Sequence, residues 1–299
     1  MGASADAILR RVELRIGRRL DGLLQGERRG RRPGPGGEPA LTRGYEPGDD
    51  VRWVDWPLSA RSGAPMVRVP EIDPVLTAWA LVDCSPSMHY GTLAQTKLAL
   101  AEEVLAGIGL VMRRRGDRLG VIATRAGGVD LVRPPRADRR GLVAAIAAVR
   151  ALPAPEEGGG RTDLVGAINA LGRIARHRGA VIVVSDFPEG EGLERAIGGL
   201  GRRHDVIAIE VRDRRERDLP AVGSVVLRDV ETGRRRTVDT ADPRFRARFA
   251  KVARQADDAR AAMLARAGAR HAIAETGGDW VGPLIEVMNR GAERRLARP

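Results

Sequence analysis

The chain has 299 residues, of which 43% are hydrophobic and 3% aromatic, and a formal net charge of +12. That is enough for one large α/β domain with additions, built on Ala, Val, Leu and Ile rather than on rings. The single cysteine, Cys84, excludes an internal disulfide; it fits a reducing compartment, and a cytoplasmic location is expected.

Most of the positive charge is arginine, and nine of the arginines lie in the first 32 residues, against four acids. A basic balance can serve nucleic acid or an acidic membrane surface. Here no aromatic residues interleave the arginines for base stacking, so nucleic acid is not the expected partner, whereas an acidic protein is. Arg10, Arg11, Glu13, Arg15, Arg18 and Arg19 interrupt any apolar core of a signal peptide. The longest uncharged apolar runs, such as residues 104–112, fall far short of a membrane span.

Within residues 5–26, Ile8, Leu9, Val12, Ile16, Leu20, Leu23 and Leu24 recur at helical spacing with arginine opposite. This predicts an amphipathic helix docked on its own domain rather than lying on a membrane. Residues 27–39, rich in Arg, Gly and Pro, predict a flexible linker. Around the Pro47-Gly48 turn, Val51, Trp53, Val67 and Val69 suggest short strands. Asp49, Asp50 and Asp55 stand beside Arg43, Arg52 and Arg61, which predicts ion pairs and turn caps rather than a second metal cluster. In so aromatic-poor a chain, Tyr45, Trp53 and Trp56 are expected to be covered, with their segment packed on the main domain.

From residue 76 onward, strands and helices alternate. Strands are predicted over 76–82, 118–124, 129–132, 180–185, 206–211 and 271–274. Helices are predicted over 95–113, 138–151, 162–177, 192–203, 243–266 and 280–290. Residues 224–227 and 235–238 interrupt the rhythm as a hairpin. The alternation argues for a doubly wound, mostly parallel sheet, and the Gly127-Gly128 turn makes 129–132 an antiparallel edge strand. The expected organisation is a basic helix and linker over 1–36, a packed segment over 37–74, the main domain over 75–290 and a basic tail over 291–299.

Asp83-Cys84-Ser85-Pro86-Ser87 follows the first apolar strand and offers a carboxylate and two hydroxyls at alternate positions. These are hard oxygen donors, the kind Mg²⁺ requires. Thr162, at the start of a helix, and Asp186, at the end of the strand 180–185, complete the set. In an open parallel sheet, ligands bind beyond the carboxyl ends of the strands where the strand order reverses, so these three segments are expected to converge. Helix capping would account for Ser85 and Ser87, and a plain turn for Asp186-Phe187-Pro188, but not for all of them together.

The series Asp83, Ser85, Ser87, Thr162, Asp186 resembles the metal-ion-dependent adhesion site of the von Willebrand factor A domain. The resemblance covers roughly residues 75 to 290. It implies a Mg²⁺ (or Mn²⁺) ion whose coordination is completed by a Glu or Asp of a partner protein. Residues 43–63, with Ser87-Met88, Gly91 and Lys97, are similar to the signature of the bacterial domain-of-unknown-function family fifty-eight. Its members join such a segment to a von Willebrand A-like domain, and many carry N-terminal membrane spans, which no stretch of this chain matches. That resemblance implies a non-enzymatic binding module acting with a MoxR-type AAA+ ATPase in complex assembly or maturation.

Two other functions compete. A Mg²⁺-dependent phosphoryl hydrolase with Asp83 as nucleophile needs an acid two residues on, where this chain has Ser85. Nucleic-acid binding through the Arg-rich termini is the other. Phosphate-loop and dinucleotide glycine motifs are missing, and His89, His177, His204 and His271 have no zinc spacing.

Overall fold

The apolar stripe at the start of the chain folds as α1 (Ala5–Gly30). Ile8, Leu9, Val12 and Ile16 are buried, and Leu14, on the opposite face, is 78% exposed. The helix continues past the expected end at Gly26 because Glu27, Arg28 and Arg29 are good helix formers; the linker therefore does not begin at residue 27. The computed structural model describes residues 4–30, 40–70, 75–91, 95–125, 128–154, 163–228 and 234–296. The remainder of the expected linker, 31–39, lies outside them. The chain divides into two units, Arg19–Val75 and Met1–Arg18 with Leu76–Pro299.

In the smaller unit, β1 (Ala40–Gly44) and β2 (Met66–Pro70) pair antiparallel around α2 (Trp56–Ser62). Val67 and Val69 lie in a strand as expected, but Val51–Trp53 is a 3-10 turn. There the Asp50 carboxylate accepts the Arg52 N–H, which closes the turn. Asp55 caps α2 by accepting the Leu58 N–H at 3.1 Å, and Gly63 ends the helix at φ 72°. The three acids act as ion pairs and caps: Asp49 with Arg43, Asp50 with Arg52, and Asp55 with Arg68. Tyr45, Trp53 and Trp56 are exposed, against the expectation that they are covered.

The larger unit continues with β3 (Thr77–Asp83), α3 (Lys97–Arg114), β4 (Arg118–Thr124), β5 (Val129–Arg136), α4 (Arg139–Arg150), α5 (Leu164–Ile174) and β6 (Ala180–Ser185). After these come α6 (Leu193–Gly201), β7 (Asp205–Arg212), the hairpin β8 (Ser224–Arg228) and β9 (Arg235–Asp239), α7 (Pro243–Arg266), β10 (Arg270–Glu275) and α8 (Val281–Leu296). The last helix takes in residues expected as tail, since Ala292 to Leu296 are helix formers with no breaker. The six-stranded sheet has the order β10-β7-β6-β3-β4-β5, with all pairings parallel except β4 with β5. This is the doubly wound α/β class expected, with the antiparallel edge in place.

Both faces of the sheet are covered. Val181, Val183, Val206, Ala208 and Leu81 point toward α5, α6 and α7, where they join Ile168, Leu171, Ile197 and Leu264. The alternate positions, Ala80, Val82, Ile182, Val184, Ile207 and Ile209, are equally buried and turn to the face covered by α3. α3 is apolar nearly all round because α4 and α8, with Ile16 of α1, cover its outer side. Gly107 permits this: a Cβ there would lie 2.8 Å from Leu284 and 2.9 Å from Trp280.

The chain runs β3-β4-β5 in one direction from β3, then returns to place β6 on the other side of β3. The order therefore reverses between β3 and β6, whose carboxyl ends carry Asp83 and Ser185-Asp186.

Candidate metal centre

The strand pair presents its ends side by side, and a hydrogen bond joins them. The Ser185 hydroxyl donates to Asp83 Oδ2 at 2.6 Å, and the Ser85 N–H donates to Asp83 Oδ1 at 2.9 Å. Asp83 and Ser85 have no exposed surface, so the site is recessed. Ser85 stands at the cap position of the 3-10 turn Pro86–His89 but makes no capping bond. Its hydroxyl lies 3.1 Å from that of Ser87, so capping does not explain either serine.

Asp186 lies across from Asp83. Its Oδ2 accepts the Lys97 ammonium at 2.8 Å, while its Oδ1 is buried with no hydrogen-bond partner. A buried carboxylate oxygen without a donor is costly and calls for a cation or an ordered water. Phe187 follows in the left-handed region at φ 49°, fully enclosed. Its N–H donates to Ser185 Oγ at 3.0 Å, and its carbonyl accepts from Arg260 Nε at 3.1 Å. Such a backbone costs on the order of 1–3 kcal/mol and is held by its surroundings. The Asp186-Phe187-Pro188 segment is therefore a strained, anchored turn, not a plain one.

Thr162 lies outside the described residues. Its neighbour Asp163 caps α5 by accepting the Gly166 N–H at 2.7 Å. Of the five sequence-predicted donors, Asp83, Ser85, Ser87 and Asp186 come together at the strand ends.

The electrostatics match a cation site. Burial and then the Asp186 charge push Asp83 up to about 6, against relief from Ser185 and Ser85. Lys97 is 3% exposed. Burial draws its pKa down, but Asp186 and Glu216 overcome this and hold it above the usual lysine value. Burial also pushes the Cys84 thiol up, so it is no nucleophile. Among the described residues no three His, Cys, Asp or Glu side chains cluster as metal ligands, so any ion here relies on hydroxyls and water beside the two aspartates. The hard-oxygen donor set, the orphaned Asp186 oxygen and the raised Asp83 carboxyl fit a divalent ion.

Three residues of the site were not foreseen: Lys97, Ser185 and Glu216. Lys97 opens α3, where the positive helix end disfavours a cation, so a lysine there signals a nearby acid. Ser185 is the polar end of an otherwise apolar, buried strand. Glu216 carried no comparable signal.

The chain is similar to uncharacterized protein Rv1480 of Mycobacterium tuberculosis, with 38% identity over 292 residues that cover 96% of this chain and 90% of that one. Among solved structures it is similar to an aerotolerance-related membrane protein from Bacteroides fragilis, with a TM-score of 0.47 and 16% identity over 72% of this chain and 99% of that one. It is also similar to the SpRpn10 von Willebrand A domain, with a TM-score of 0.34 and 16% identity over 46% of this chain and 76% of that one. The cytoplasmic location expected from the lone cysteine is withdrawn, because a single thiol does not fix a compartment. One reduced thiol excludes an internal disulfide without excluding a membrane-bound host. Among the described residues no helix is long and apolar enough to cross a membrane. Residues 41–259 match the family model described as protein of unknown function DUF58, and with that match over most of its length the chain belongs to this family.

Proposed function

We propose that the strand-end site is a metal-dependent docking point for an acidic side chain of a partner protein. Asp83, Ser85, Ser87 and Asp186 would hold Mg²⁺ or Mn²⁺, with Thr162 as the fifth donor. When bound, the ion supplies an electrophilic centre that accepts an anionic oxygen. The observation that carries the reading is the unpartnered, buried Asp186 Oδ1, on a carboxylate whose charge acts on the buried Asp83. With both oxygens of Asp83 already accepting hydrogen bonds, that residue serves best through water, and the neutral serine hydroxyls leave positive charge for the partner.

A non-enzymatic role and a MoxR-type AAA+ ATPase as partner belong to the same proposal. The net charge of +12 favours an acidic surface, and the ion adds direction to that attraction. The test is the affinity of the full chain for such an ATPase with Mg²⁺ and with a chelator, beside the Asp83→Asn variant. Binding that needs the divalent ion, weakens with salt and is lost in D83N is expected. Equal affinity with Mg²⁺ and with chelator overturns the reading.

Lys97 favours a second reading. A phosphoryl hydrolase needs a cation beside its carboxylates, and Lys97 occupies that place. Ser85 still stands where the general acid is required. Mg²⁺-dependent turnover of a generic phosphoester, abolished in D83N, would establish the hydrolase; none is expected.

A further inference from the structure

The Lys97 ammonium reaches the site from the first turn of α3 and sits between two carboxylates, Asp186 Oδ2 at 2.8 Å and Glu216 Oε1 at 2.6 Å. Lys97 and Asp186 are nearly enclosed, and Glu216 is more than a third exposed. Glu216 belongs to the 3-10 turn Arg214–Glu216 that follows β7, and its other oxygen accepts the Asp213 N–H at 3.2 Å. The three residues line a cleft of about 200 Å³ together with Arg217 and Asp257.

We propose that Lys97 is a tethered counter-ion that competes with the divalent ion for Asp186, with Glu216 as the seat to which it is released. This rests on the metal-docking reading above. The argument is one of shared demand. Asp186 is the less enclosed of the two aspartates and has a free oxygen, so it is the carboxylate a divalent ion can engage most directly. The ammonium already uses its other oxygen, and two cations on one carboxylate repel at short range in a poorly solvated site. Glu216 offers an alternative partner within the same hydrogen-bond set, so the lysine does not have to be stripped of charge partners in a buried position. The design answers a problem the site would otherwise have: with Lys97 in place, Asp83 and Asp186 tolerate burial together before any ion arrives. It also links metal occupancy to a surface group, because Glu216 is bound more tightly once it holds the ammonium alone.

Calorimetric titration of Mn²⁺ into the full-length chain tests this, with wild type, Lys97→Met, Glu216→Gln and the double variant compared. Methionine keeps the length of the stem and removes the charge. K97M is expected to bind Mn²⁺ at least tenfold more tightly than wild type. E216Q, which leaves the ammonium on Asp186 alone, is expected to bind at least threefold more weakly, and the double variant to match K97M. Circular dichroism establishes that each variant is folded; if K97M is not, E216Q decides alone, since its residue is the exposed one. Mn²⁺ affinity in K97M equal to or weaker than wild type, or tighter binding in E216Q, overturns the competition while the metal reading stands. Absence of Mn²⁺ binding in wild type and K97M alike overturns the metal reading itself.

Discussion

Asp83 and Glu210 are both carboxylates without exposed surface, and their surroundings drive them in opposite directions. Burial and Asp186 raise Asp83 to about 6. For Glu210, burial also raises the pKa, but hydrogen bonds from His271 and Arg212 and the charge of Arg260 override it and bring it down to about 2. The signs of the stability effects follow. Asp83 binds its proton more tightly in the folded state, so chelated protein should lose stability as pH rises from about 4 to about 6. Glu210 contributes stability above the ordinary carboxylate range, and that stability is lost as pH falls toward about 2. Urea unfolding across pH in the presence of chelator should therefore show a maximum between the two limbs. Asp83→Asn should flatten the upper limb and leave the lower one. Glu210→Gln should cost about 3–5 kcal/mol at neutral pH, because Arg212 and Arg260 lose a buried counter-charge. A curve for D83N that still falls between about pH 4 and 6 would contradict the assignment of that limb.

At the scale of elements, the clearest prediction concerns α1. Leu9 and Ile16 are fully buried, so truncation of either to alanine should cost about 2–5 kcal/mol, whereas Leu14→Ala should stay within about 0.5 kcal/mol. Equal effects at all three would mean that the helix does not dock by its stripe. Gly107→Val offers a second test, since its side chain would enter the space of Leu284 and Trp280; overpacking of about 1–3 kcal/mol should outweigh the gain in helix propensity.

The elements also differ in how readable they were. Strands Arg118–Thr124 and Ala180–Ser185 and helix Pro243–Arg266 have the bounds that pattern alone predicts, because an apolar run or a capped, proline-led start marks each end. β1 and α2 were missed. Neither is long enough to show a period, and the Asp55 cap with Pro57 was the only available signal for the helix. The helix at Leu164–Ile174 is shorter than expected because Ala175 already leaves helical geometry. For the site, strand ends and hydroxyl spacing made Asp83, Ser85, Ser87 and Asp186 legible. The lysine between two carboxylates was not, since its partners Asp186 and Glu216 lie far along the chain and only the fold brings them together.

For the whole molecule, the reversal of strand order decides where chemistry can occur. It joins residues 83–87 to 185–186 and adds the loop after β7, so no short piece of the chain contains the site. On the docking reading, Mn²⁺ should raise the melting temperature of the entire larger unit and do so less at acid pH, where Asp83 takes up a proton. A rise that is independent of pH would place the ion elsewhere.

The contact of α1 with the far end of the chain has a temporal side. Ile16 lies against the Gly107 position together with Trp280 and Leu284, and the Arg15 guanidinium sits over the Trp280 ring, 5.5 Å from its centroid. A ribosome making about 5–20 residues per second delivers Trp280 roughly 10 to 50 seconds after Ile16. Throughout that interval the newborn helix holds Ile8, Leu9, Val12 and Ile16 with part of their cover still unmade. The apolar stripe is thus a hazard during synthesis before it is a contribution to stability, and the arginines on its other face keep the waiting segment dispersed.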